Sequence, residues 1–299
     1  MNRLNYEKVF KTLVEETGNY LVNHSLRAMV LGVSGGIDST VVAAICCEVN
    51  KQTNIPLIGR SLPIKNKKDE FDVSKLVGEA FCNNFDVANL YDEYKCLLSG
   101  LVWREERIDL LDDTEAMHPE KSKQQTLIAN GNIQARLRMI YLYNLASIHN
   151  GLVMSTDNQT EYQLGFWTIH GDVGDFDPIQ DLWKTEVYQL AEWLKLFYYT
   201  DGDDADKAVA IGESIKLTPT DGLGISNSDL DQIGAKSYND VDRVLQTLVC
   251  PASPENDRVQ DALTVEIGPE IIDKIIKRRS NSRFKREKSP IYISRERYE

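Results

Sequence analysis

The sequence predicts an α/β protein with a doubly wound, mostly parallel, Rossmann-like sheet flanked by helices. Apolar runs that suit buried strands lie at 28–33, 54–60 and 84–90, and a shorter one begins at 152. Segments with helical spacing separate these runs. Strands that alternate with helices form parallel sheets, because each strand needs a crossover to return to the same edge.

The helices are predicted from apolar periodicity. Residues 3–24, 69–84 and 180–194 show this spacing, and the clearest helix lies at 131–151, where Gly151 is a good terminator. Residues 91–123 show no such pattern, so we expect an irregular connection or a lid there.

The C-terminal part of the chain is predicted to be helical and then basic. Residues 227–249 and 257–279 have helical periodicity. The run Arg283-Phe-Lys-Arg-Glu-Lys288 follows, and a charge run at a terminus is usually a solvated tail. We expect one domain over 1–299, with a helical and basic tail from about 257 to 299.

Composition restricts the classes of protein to consider. The chain has 299 residues, 42% of them hydrophobic and 27% charged, which is ordinary for a globular protein. The net charge of −12 argues against binding along a nucleic-acid backbone. No apolar run approaches a membrane span and no signal peptide is present, so a cytoplasmic protein is expected. The five cysteines form no Cys-x-x-Cys pair, which makes a zinc site an unfavoured interpretation.

A phosphate-binding loop is predicted directly after the first strand. Residues 34–39 read Ser-Gly-Gly-Ile-Asp-Ser, and an Ala/Val-rich helix follows. The glycines allow a tight bend, and the N–H groups of the helix N-terminus favour an anion. A tight turn capped by Asp38 is the structural alternative. A P-loop is excluded because no lysine follows the glycines, whereas Ser-Gly-Gly-x-Asp-Ser resembles the pyrophosphate loop of ATP pyrophosphatases.

A second polar group follows the strand that begins at Leu152. The stretch Ser155-Thr-Asp-Asn-Gln-Thr-Glu161 lies at the carboxyl edge where open α/β sheets bind ligands. Glu161 could complete a Mg²⁺ site with Asp38, since carboxylates that bridge phosphate oxygens hold this ion. A helix cap with Glu161 in the first turn is an equally good interpretation.

Three aspartates and a lysine follow within a short stretch. Asp172, Asp175 and Asp177 suit the hydroxyls of a ribose or a polar ring, and they lack the glutamate of an EF-hand. Lys184 begins a predicted helical turn. Because a cation at a helix N-terminus opposes the helix dipole, we expect Lys184 to face an anion.

The motifs together resemble the NAD synthetase family. They occur in the family's order over nearly the whole chain: Gly32–Ser39, Gly131–Arg136, Ser155–Glu161, Gly171–Asp172, Pro178–Glu186, Pro219–Thr220 and Phe284–Arg286. The resemblance implies an ATP pyrophosphatase fold, a homodimer, and amidation of deamido-NAD⁺ to NAD⁺ with ATP as co-substrate. It also implies catalytic roles for Asp38 and Lys184, and a Mg²⁺ held by Asp38 and Glu161.

The resemblance assigns further binding residues. Those implied for ATP are Gly32, Val33, Ser34, Gly35, Gly36, Ile37, Asp38, Ser39, Arg60, Thr156, Lys184 and Thr220. Those implied for deamido-NAD⁺ are Arg136, Asp175, Phe284 and Lys285. From the pattern alone Arg136 would form a surface salt bridge, so here the resemblance changes the interpretation.

The chain also departs from the family pattern. Ile169 stands where a lysine is common, and the loop from Gly171 to Asp175 is one residue shorter than usual. Some family members carry an amidase domain before the synthetase. Because 31 residues precede Gly32, we expect free ammonia, or ammonia from another protein, as the nitrogen source. The alternatives are another adenylating amidotransferase, a tRNA-modifying relative, or a non-catalytic nucleotide-binding regulator.

Overall fold

A parallel sheet forms the centre of the molecule. Its strands are β1 (Ala28–Gly32), β2 (Leu57–Ser61), β3 (Asn84–Val87) and β4 (Gly151–Val153), in the order β3-β2-β1-β4. Every neighbouring pair runs parallel. The predicted parallel sheet is therefore confirmed. The computed structural model describes residues 4–109, 119–200, 204–218, 229–249 and 262–287.

Helices follow each strand and complete the C-terminal half. They are α1 (Tyr6–Asn23), α2 (Ile37–Thr53), α3 (Lys68–Phe81), α4 (Tyr91–Asp109), α5 (Pro119–His149), α6 (Gln159–Leu164), α7 (Lys184–Thr200), α8 (Ala205–Lys216), α9 (Asp229–Ile233), α10 (Tyr238–Val249), α11 (262–267) and α12 (Pro269–Asn281). Within the described ranges, no helix is both long and apolar enough to cross a membrane.

Both faces of the sheet are covered, as a doubly wound arrangement requires. Met29 and Leu31 of β1 pack with α1, α2, α7 and α8, whereas Ala28 and Val30 pack against α5. The alternation follows from the two-residue period of a strand, which turns successive side chains to opposite faces. Both sets are almost completely buried, which explains why β1 reads as a continuous apolar run.

The strand order creates a crevice at one place. From β1 the chain proceeds to β2 on one side, and β4 later adds on the other side. The strand order therefore reverses at β1, and at such a switch point a gap opens between the loops that follow the neighbouring strands, here β1 and β4. The predicted phosphate loop follows β1, and the Ser155–Glu161 stretch follows β4. Both motifs therefore meet at the crevice.

The structure corrects three sequence predictions. Residues 91–123 are not an irregular connection throughout, because α4 extends to Asp109 and α5 already begins at Pro119. The helix predicted from 180 begins at Lys184, where the side chain of Glu186 accepts from Trp183 N (2.9 Å) and caps it. The basic tail does not extend freely into solvent at its start, since Arg283–Arg286 form a 3₁₀ turn against the rest of the chain.

The C-terminal helices have a hydrophobic core of their own. Val241 and Leu245 of α10 and Ile275 of α12 are fully buried together with Leu164 of α6. Leu164 therefore connects this helical layer to the segment that follows β4. Any shift of α10 or α12 would displace α6, which carries Glu161.

Candidate active site

A cleft of about 740 Å³ opens where β1 and β4 end. Its walls come mainly from the phosphate loop, the 156–172 segment, the first turn of α7, and the end of α12 with the turn after it. Parts of α3, α5 and α9 and the end of α8 border it as well. The sheet and helices thus bring together residues that are up to 251 positions apart in sequence. The predicted site residues Ser34, Gly36, Ile37, Asp38, Ser39, Thr156, Glu161, Lys184, Phe284 and Lys285 all line this cleft.

The phosphate loop has the backbone that its glycines predict. Gly35 adopts φ +84°, and a Cβ at that position would lie 2.7 Å from Ser74 N. Only glycine fits there, because both the left-handed backbone and the close approach of α3 exclude a side chain. Gly36 precedes α2 and caps it without a side-chain hydrogen bond. The N–H groups of the first turn of α2 therefore remain for an anion.

Two hydroxyls fix the loop from behind. Ser214 of α8 donates to the carbonyl of Gly35 (2.8 Å), and Thr40 donates to Ser214 Oγ (2.9 Å). Both side chains are buried. Holding this carbonyl on the rear side helps keep the loop N–H groups turned towards the cleft. Neither hydroxyl was singled out from the sequence, since they lie 174 positions apart.

Lys184 faces the anions that its position at a helix N-terminus predicts. Its Nζ contacts Asp38 Oδ2 and lies 2.9 Å from Glu161 Oε1. Lys184 is 2% exposed, whereas the two carboxylates are 15% and 17% exposed at the floor of the cleft. Burial lowers the pKa of Lys184, but the charges of Asp38 and Glu161 outweigh it and hold that pKa well above its ordinary value.

Asn158 joins the same group, although the sequence analysis gave it no role. Its Nδ2 donates to Asp38 Oδ1 (2.8 Å), and its Oδ1 accepts from Glu161 N (3.1 Å). Asn158 is fully buried and caps α6, with Glu161 completing a capping box. The helix-cap and active-site interpretations of Glu161 are thus compatible. The Asn-x-x-Glu spacing was the signal that could have identified Asn158.

A second group of carboxylates lies beside the first. Asp157, Asp172 and Asp177 are close enough for their charges to interact. Burial raises the pKa of Asp157 well above its ordinary value, and the neighbouring acids add to this shift. Loss of hydration within the cleft also raises the pKa of Asp172, although this residue is exposed at the cleft surface. Burial raises the pKa of Asp177 to about 7. Asp177 Oδ2 is buried and has no hydrogen-bond partner within the described ranges.

Two other residues that the resemblance predicts to bind ATP, Arg60 and Thr220, are not among the described residues that line the main cleft. Arg60 lines a smaller chamber of about 250 Å³ and donates to Gly59 O and Asn84 Oδ1. Its buried Nε lacks a partner among the described residues, which leaves a donor for a ligand in that chamber. Thr220 lies outside the described residues. Gly32 and Val33 line the smaller chamber, and Gly35 forms the bend itself.

The residues predicted for the dinucleotide divide into two groups. Phe284 borders the cleft and is 53% exposed. Arg136 is exposed and donates to Ile169 O (3.2 Å). Asp175 is not among the described residues that line the cleft, because it accepts from Tyr143 Oη (2.9 Å) and Val153 N (3.1 Å) at the end of β4.

Aromatic and cationic side chains form one wall of the cleft. Trp167 stacks on Tyr162, with ring centroids 5.6 Å apart, and Arg278 lies 4.4 Å from the ring of Phe166. Lys285 donates to the carbonyls of Gly165 (2.7 Å) and Trp167. Such a wall can stack on a planar base or ring. These aromatic residues of the wall were not predicted from the sequence.

The fold and the site define an α/β nucleotide-binding enzyme of the ATP pyrophosphatase type. A glycine-rich anion-binding loop follows the first strand. A lysine and two acids lie at the floor of the cleft beside this loop. This arrangement suits cleavage of a nucleoside triphosphate, since developing phosphate charge would meet N–H groups and an ammonium.

Comparison with known proteins identifies the family. Residues 9–289 match the model of the family described as NAD synthase. The NH(3)-dependent NAD(+) synthetase of Wolinella succinogenes is 30% identical over 294 residues, which cover 97% of each chain. The chain therefore belongs to the NAD synthase family. The predicted family, and with it a ligase of NAD biosynthesis that forms an amide bond, is confirmed.

Solved structures agree on the fold. The NMN synthetase from Francisella tularensis superimposes with a TM-score of 0.72 at 23% identity, over 98% of this chain and all of that one. An NH3-dependent NAD synthetase from Campylobacter jejuni gives a TM-score of 0.66 at 21% identity, over 97% of this chain and all of that one. At these identities the likeness shows a shared fold.

Proposed function

We propose that this chain amidates deamido-NAD⁺ with ammonia, at the expense of ATP, within a single domain over 1–299. The observation that carries the proposal is the meeting of Lys184, Asp38 and Glu161 beneath a glycine-rich anion loop. A protein that only bound a nucleotide would not need a buried ammonium opposed by two acids. The proposed reaction fits the cytoplasmic location expected from the sequence.

The first step activates the pyridine carboxylate. One of its oxygens attacks the α-phosphorus of ATP, a new O–P bond forms, and the bond to the bridging oxygen of the β-phosphate breaks. Pyrophosphate leaves with the electron pair of that bond. The N–H groups at the start of α2 and the ammonium of Lys184 oppose the charge that develops on pyrophosphate.

The second step forms the amide. Ammonia attacks the acyl carbon of the adenylate, the C–O bond to AMP breaks, and the nitrogen loses a proton. Asp172 borders the cleft, and Asp157 lies on its floor. Because the pKa of each carboxyl is raised, either is a better proton acceptor than an ordinary aspartate once it is ionised. We propose that this acidic group receives the proton.

We propose Mg²⁺ as the metal, held by Asp38 and Glu161. Their oxygen donors suit the ion, and both carboxylates already converge on one cation, the ammonium of Lys184. The described residues contain no group of three or more acidic, histidine or cysteine side chains that could hold a metal. The ion would therefore take its remaining ligands from water and phosphate oxygens. When bound, it would neutralise charge on the phosphates of ATP.

The acceptor is proposed to lie along the aromatic wall. Phe284 offers a half-exposed ring for stacking, and Lys285 holds this wall through the carbonyls of Gly165 and Trp167. Arg136 supplies a positive charge nearby on α5. The smaller chamber beside Arg60 suits the adenine of ATP, because its buried Nε can donate to a ring nitrogen.

A mononucleotide is the second candidate acceptor. Asp175, predicted to contact the dinucleotide, instead bonds to Tyr143 and Val153 N, and Ile169 provides no cation. Two polar contacts expected for a dinucleotide are therefore not supplied by this cleft. The structural neighbour from Francisella tularensis is an NMN synthetase. For this second candidate function, the acceptor would be the deamidated mononucleotide, whose amidation gives NMN.

We further propose that the protein acts as a homodimer joined through α5. One side of this helix packs on the sheet, yet Leu127, Ile128, Ile140 and Ile148 are 41–67% exposed. Large apolar side chains around a helix favour burial on more than one side. Light scattering should give a dimer mass for the wild type. If the wild type is monomeric at micromolar concentration, the dimer is contradicted.

One assay tests the reaction and its nitrogen source. The protein is incubated with ATP, Mg²⁺, and either deamido-NAD⁺ or its mononucleotide, with NH₄⁺ or glutamine as donor. We expect NAD⁺, AMP and pyrophosphate in equal amounts from deamido-NAD⁺ and NH₄⁺. An equal yield from glutamine alone would contradict ammonia dependence. A kcat/KM tenfold higher for the mononucleotide would make the second candidate the function.

A matched variant tests the site. Asp38→Asn keeps the shape of the side chain but removes its charge, so we expect pyrophosphate release to be abolished in a folded protein. Asp69→Asn, an exposed acid on α3, serves as the control. Unchanged turnover in Asp38→Asn would refute the proposed role of that carboxylate.

A further inference from the structure

A buried carboxylate from the C-terminal helices reaches the elements that carry Lys184 and Glu161. Asp242 of α10 is 1% exposed. Its Oδ1 accepts from Thr160 Oγ1 (2.5 Å), and its Oδ2 accepts from Thr185 N (2.9 Å). Asp242 does not line the cleft described above. It therefore contacts both α6 and α7 from behind the active site.

Thr160 completes a chain of three hydrogen bonds. Its Oγ1 accepts from Lys184 N (2.9 Å) while its hydroxyl donates to Asp242. The backbone of Lys184 is thus fixed to α6, one residue before Glu161. Since Thr160 is also buried, water does not compete for these bonds. Lys184 and Glu161, whose charged groups meet in the cleft, are therefore also connected behind it, through the bond between Lys184 N and Thr160.

The charge of Asp242 suits this location. Lys184 begins α7, and a cation there opposes the helix dipole. Asp242 places a negative charge at the same helix terminus and accepts from one of its free N–H groups. Tyr238, one turn earlier on α10, lies with its ring 5.6 Å from Lys184 Nζ. Helix α10 thus reaches both ends of Lys184: its backbone indirectly, through Thr160, and its ammonium through the ring of Tyr238.

We propose that Asp242 is a positioning residue which, through Thr160, sets Lys184 against Asp38 and Glu161 and so couples helix α10 to the pyrophosphate site. The inference rests on the proposed function, because it takes pyrophosphate as the group that Lys184 meets. A purely structural role for Asp242 is the alternative. Helix α10 also packs through Val241, Val244 and Leu245, so the carboxylate is not its sole anchor.

The decisive comparison is between two substitutions of Thr160. Thr160→Val keeps the shape and removes the hydroxyl, whereas Thr160→Ser keeps the hydroxyl. We expect Thr160→Val to lower kcat/KM for ATP by about 10- to 100-fold and to weaken ATP binding about fivefold or more in calorimetry without acceptor. The KM for the acceptor should change by less than about threefold. Thr160→Ser should retain at least a third of the wild-type kcat/KM.

Substitutions of Asp242 test the coupling. Asp242→Asn should lower kcat/KM for ATP, and the double variant with Thr160→Val should be no worse than the poorer single variant, because both act through one chain of bonds. Asp240→Asn is the matched control. It lies on the same helix and its carboxylate accepts from Ser237 Oγ, so we expect wild-type kinetics.

Each alternative outcome is distinguishable. Additive losses, or a Thr160→Ser variant as poor as Thr160→Val, would overturn the proposed relay. Wild-type kinetics in folded Thr160→Val would also overturn it, with folding checked by circular dichroism and thermal melting. If the wild type forms no AMP with either acceptor, the proposed function fails. The ATP affinities of the two Thr160 variants would then still decide the positioning role.

Discussion

Two groups of carboxylates lie side by side in this cleft, and they differ in what neutralises them. Asp38 and Glu161 share the ammonium of Lys184, whereas Asp157 and Asp177 lie among other acids. In the first group both carboxylates lie against one buried ammonium. In the second group burial and neighbouring acids favour the protonated forms, and the pKa of Asp177 is raised to about 7. The two groups of carboxylates thus differ mainly in whether they contact a cation, and less in how deeply they are buried.

The difference fits the two steps of the proposed reaction. Charged acids around a lysine are suited to hold a metal and polyphosphate, which carry charge throughout. Acids with raised pKa values are suited to exchange a proton with an incoming nitrogen. Asp157 and Glu161 are only four positions apart in sequence and yet belong to different groups, so tertiary contacts set their different properties. Four substitutions test this comparison.

The largest effect is expected from removing the shared cation. Lys184→Met keeps the length of the side chain but leaves Asp38 and Glu161 unneutralised. We expect kcat for pyrophosphate release to fall about 100-fold or more, because a positive charge at the leaving group is lost. The melting temperature should also fall, and Mg²⁺ should raise it more in the variant than in the wild type, since the ion replaces the lost charge.

Lys195→Met on the exposed side of α7 is the matched control for this experiment. Lys195 pairs with Glu192 at the surface, so we expect wild-type turnover and melting. A Lys184→Met variant that retained wild-type turnover would show that the ammonium does not act on pyrophosphate. It would also remove the distinction between the two carboxylate groups.

The second effect concerns the uncompensated group. Asp172→Asn removes a candidate proton acceptor and one of the charges that raise the pKa of Asp157. We expect kcat to fall about tenfold. The acid limb of the kcat–pH profile should move to lower pH, because the pKa of Asp157 falls when its negative neighbour is lost. Profiles from pH 5 to 9 measure this shift, with Asp181→Asn as the control, and a shift to higher pH would contradict it.

The third effect is on stability. The folded protein holds the pKa of Asp177 at about 7, above its ordinary value of 3.8. The native state therefore binds the proton more tightly than the unfolded chain, and its stability falls as pH rises from about 4 to 7. Asp177→Asn should be more stable than the wild type at pH 8 by on the order of 1 kcal/mol. The difference in stability between Asp177→Asn and the wild type should disappear near pH 4. Thermal melting of both proteins at pH 4 and pH 8 measures it.

The smallest effect is expected from the ring beside the ammonium. Tyr238→Leu removes the cation–π contact with Lys184, which costs about 0.5–1 kcal/mol and lowers kcat/KM for ATP two- to fivefold. Tyr238→Phe keeps the ring and should remain within about twofold of the wild type. A hundredfold loss of kcat/KM in Tyr238→Leu would mean that the ring has a role beyond its cation–π contact with Lys184.

Local patterns predicted the fold and the first half of the site. The run Ala28–Gly32 and the Gly-Gly bend reveal strand, loop and helix because each depends on neighbours in sequence. Lys184 was recognisable as an anion partner from its place at a helix start. By contrast, α4 was missed because its apolar spacing is weak, and residues 91–123 were expected to be irregular.

Contacts between distant segments explain what the sequence analysis did not find. Asn158 bonds to Asp38 across 120 positions, and Asp242 to Thr160 across 82. Asp175 carries the right side chain for a substrate contact, but its two oxygens also accept from Tyr143 Oη and from Val153 N at the end of β4. No local sequence pattern distinguishes a carboxylate that accepts a hydrogen bond from the backbone of another segment from one that contacts a ligand.

The sequence by itself determined the alternation of strands and helices, the anion loop at Ser34–Ser39, and the family, because these depend on short-range geometry and on motifs. The tertiary structure alone decided which acids pair with Lys184 and which share their charge with other acids. It also placed Asp242 beneath the site. The physical reason is that burial and the distance to a counter-charge set the state of a carboxylate, and both arise only when separate helices and strands pack together.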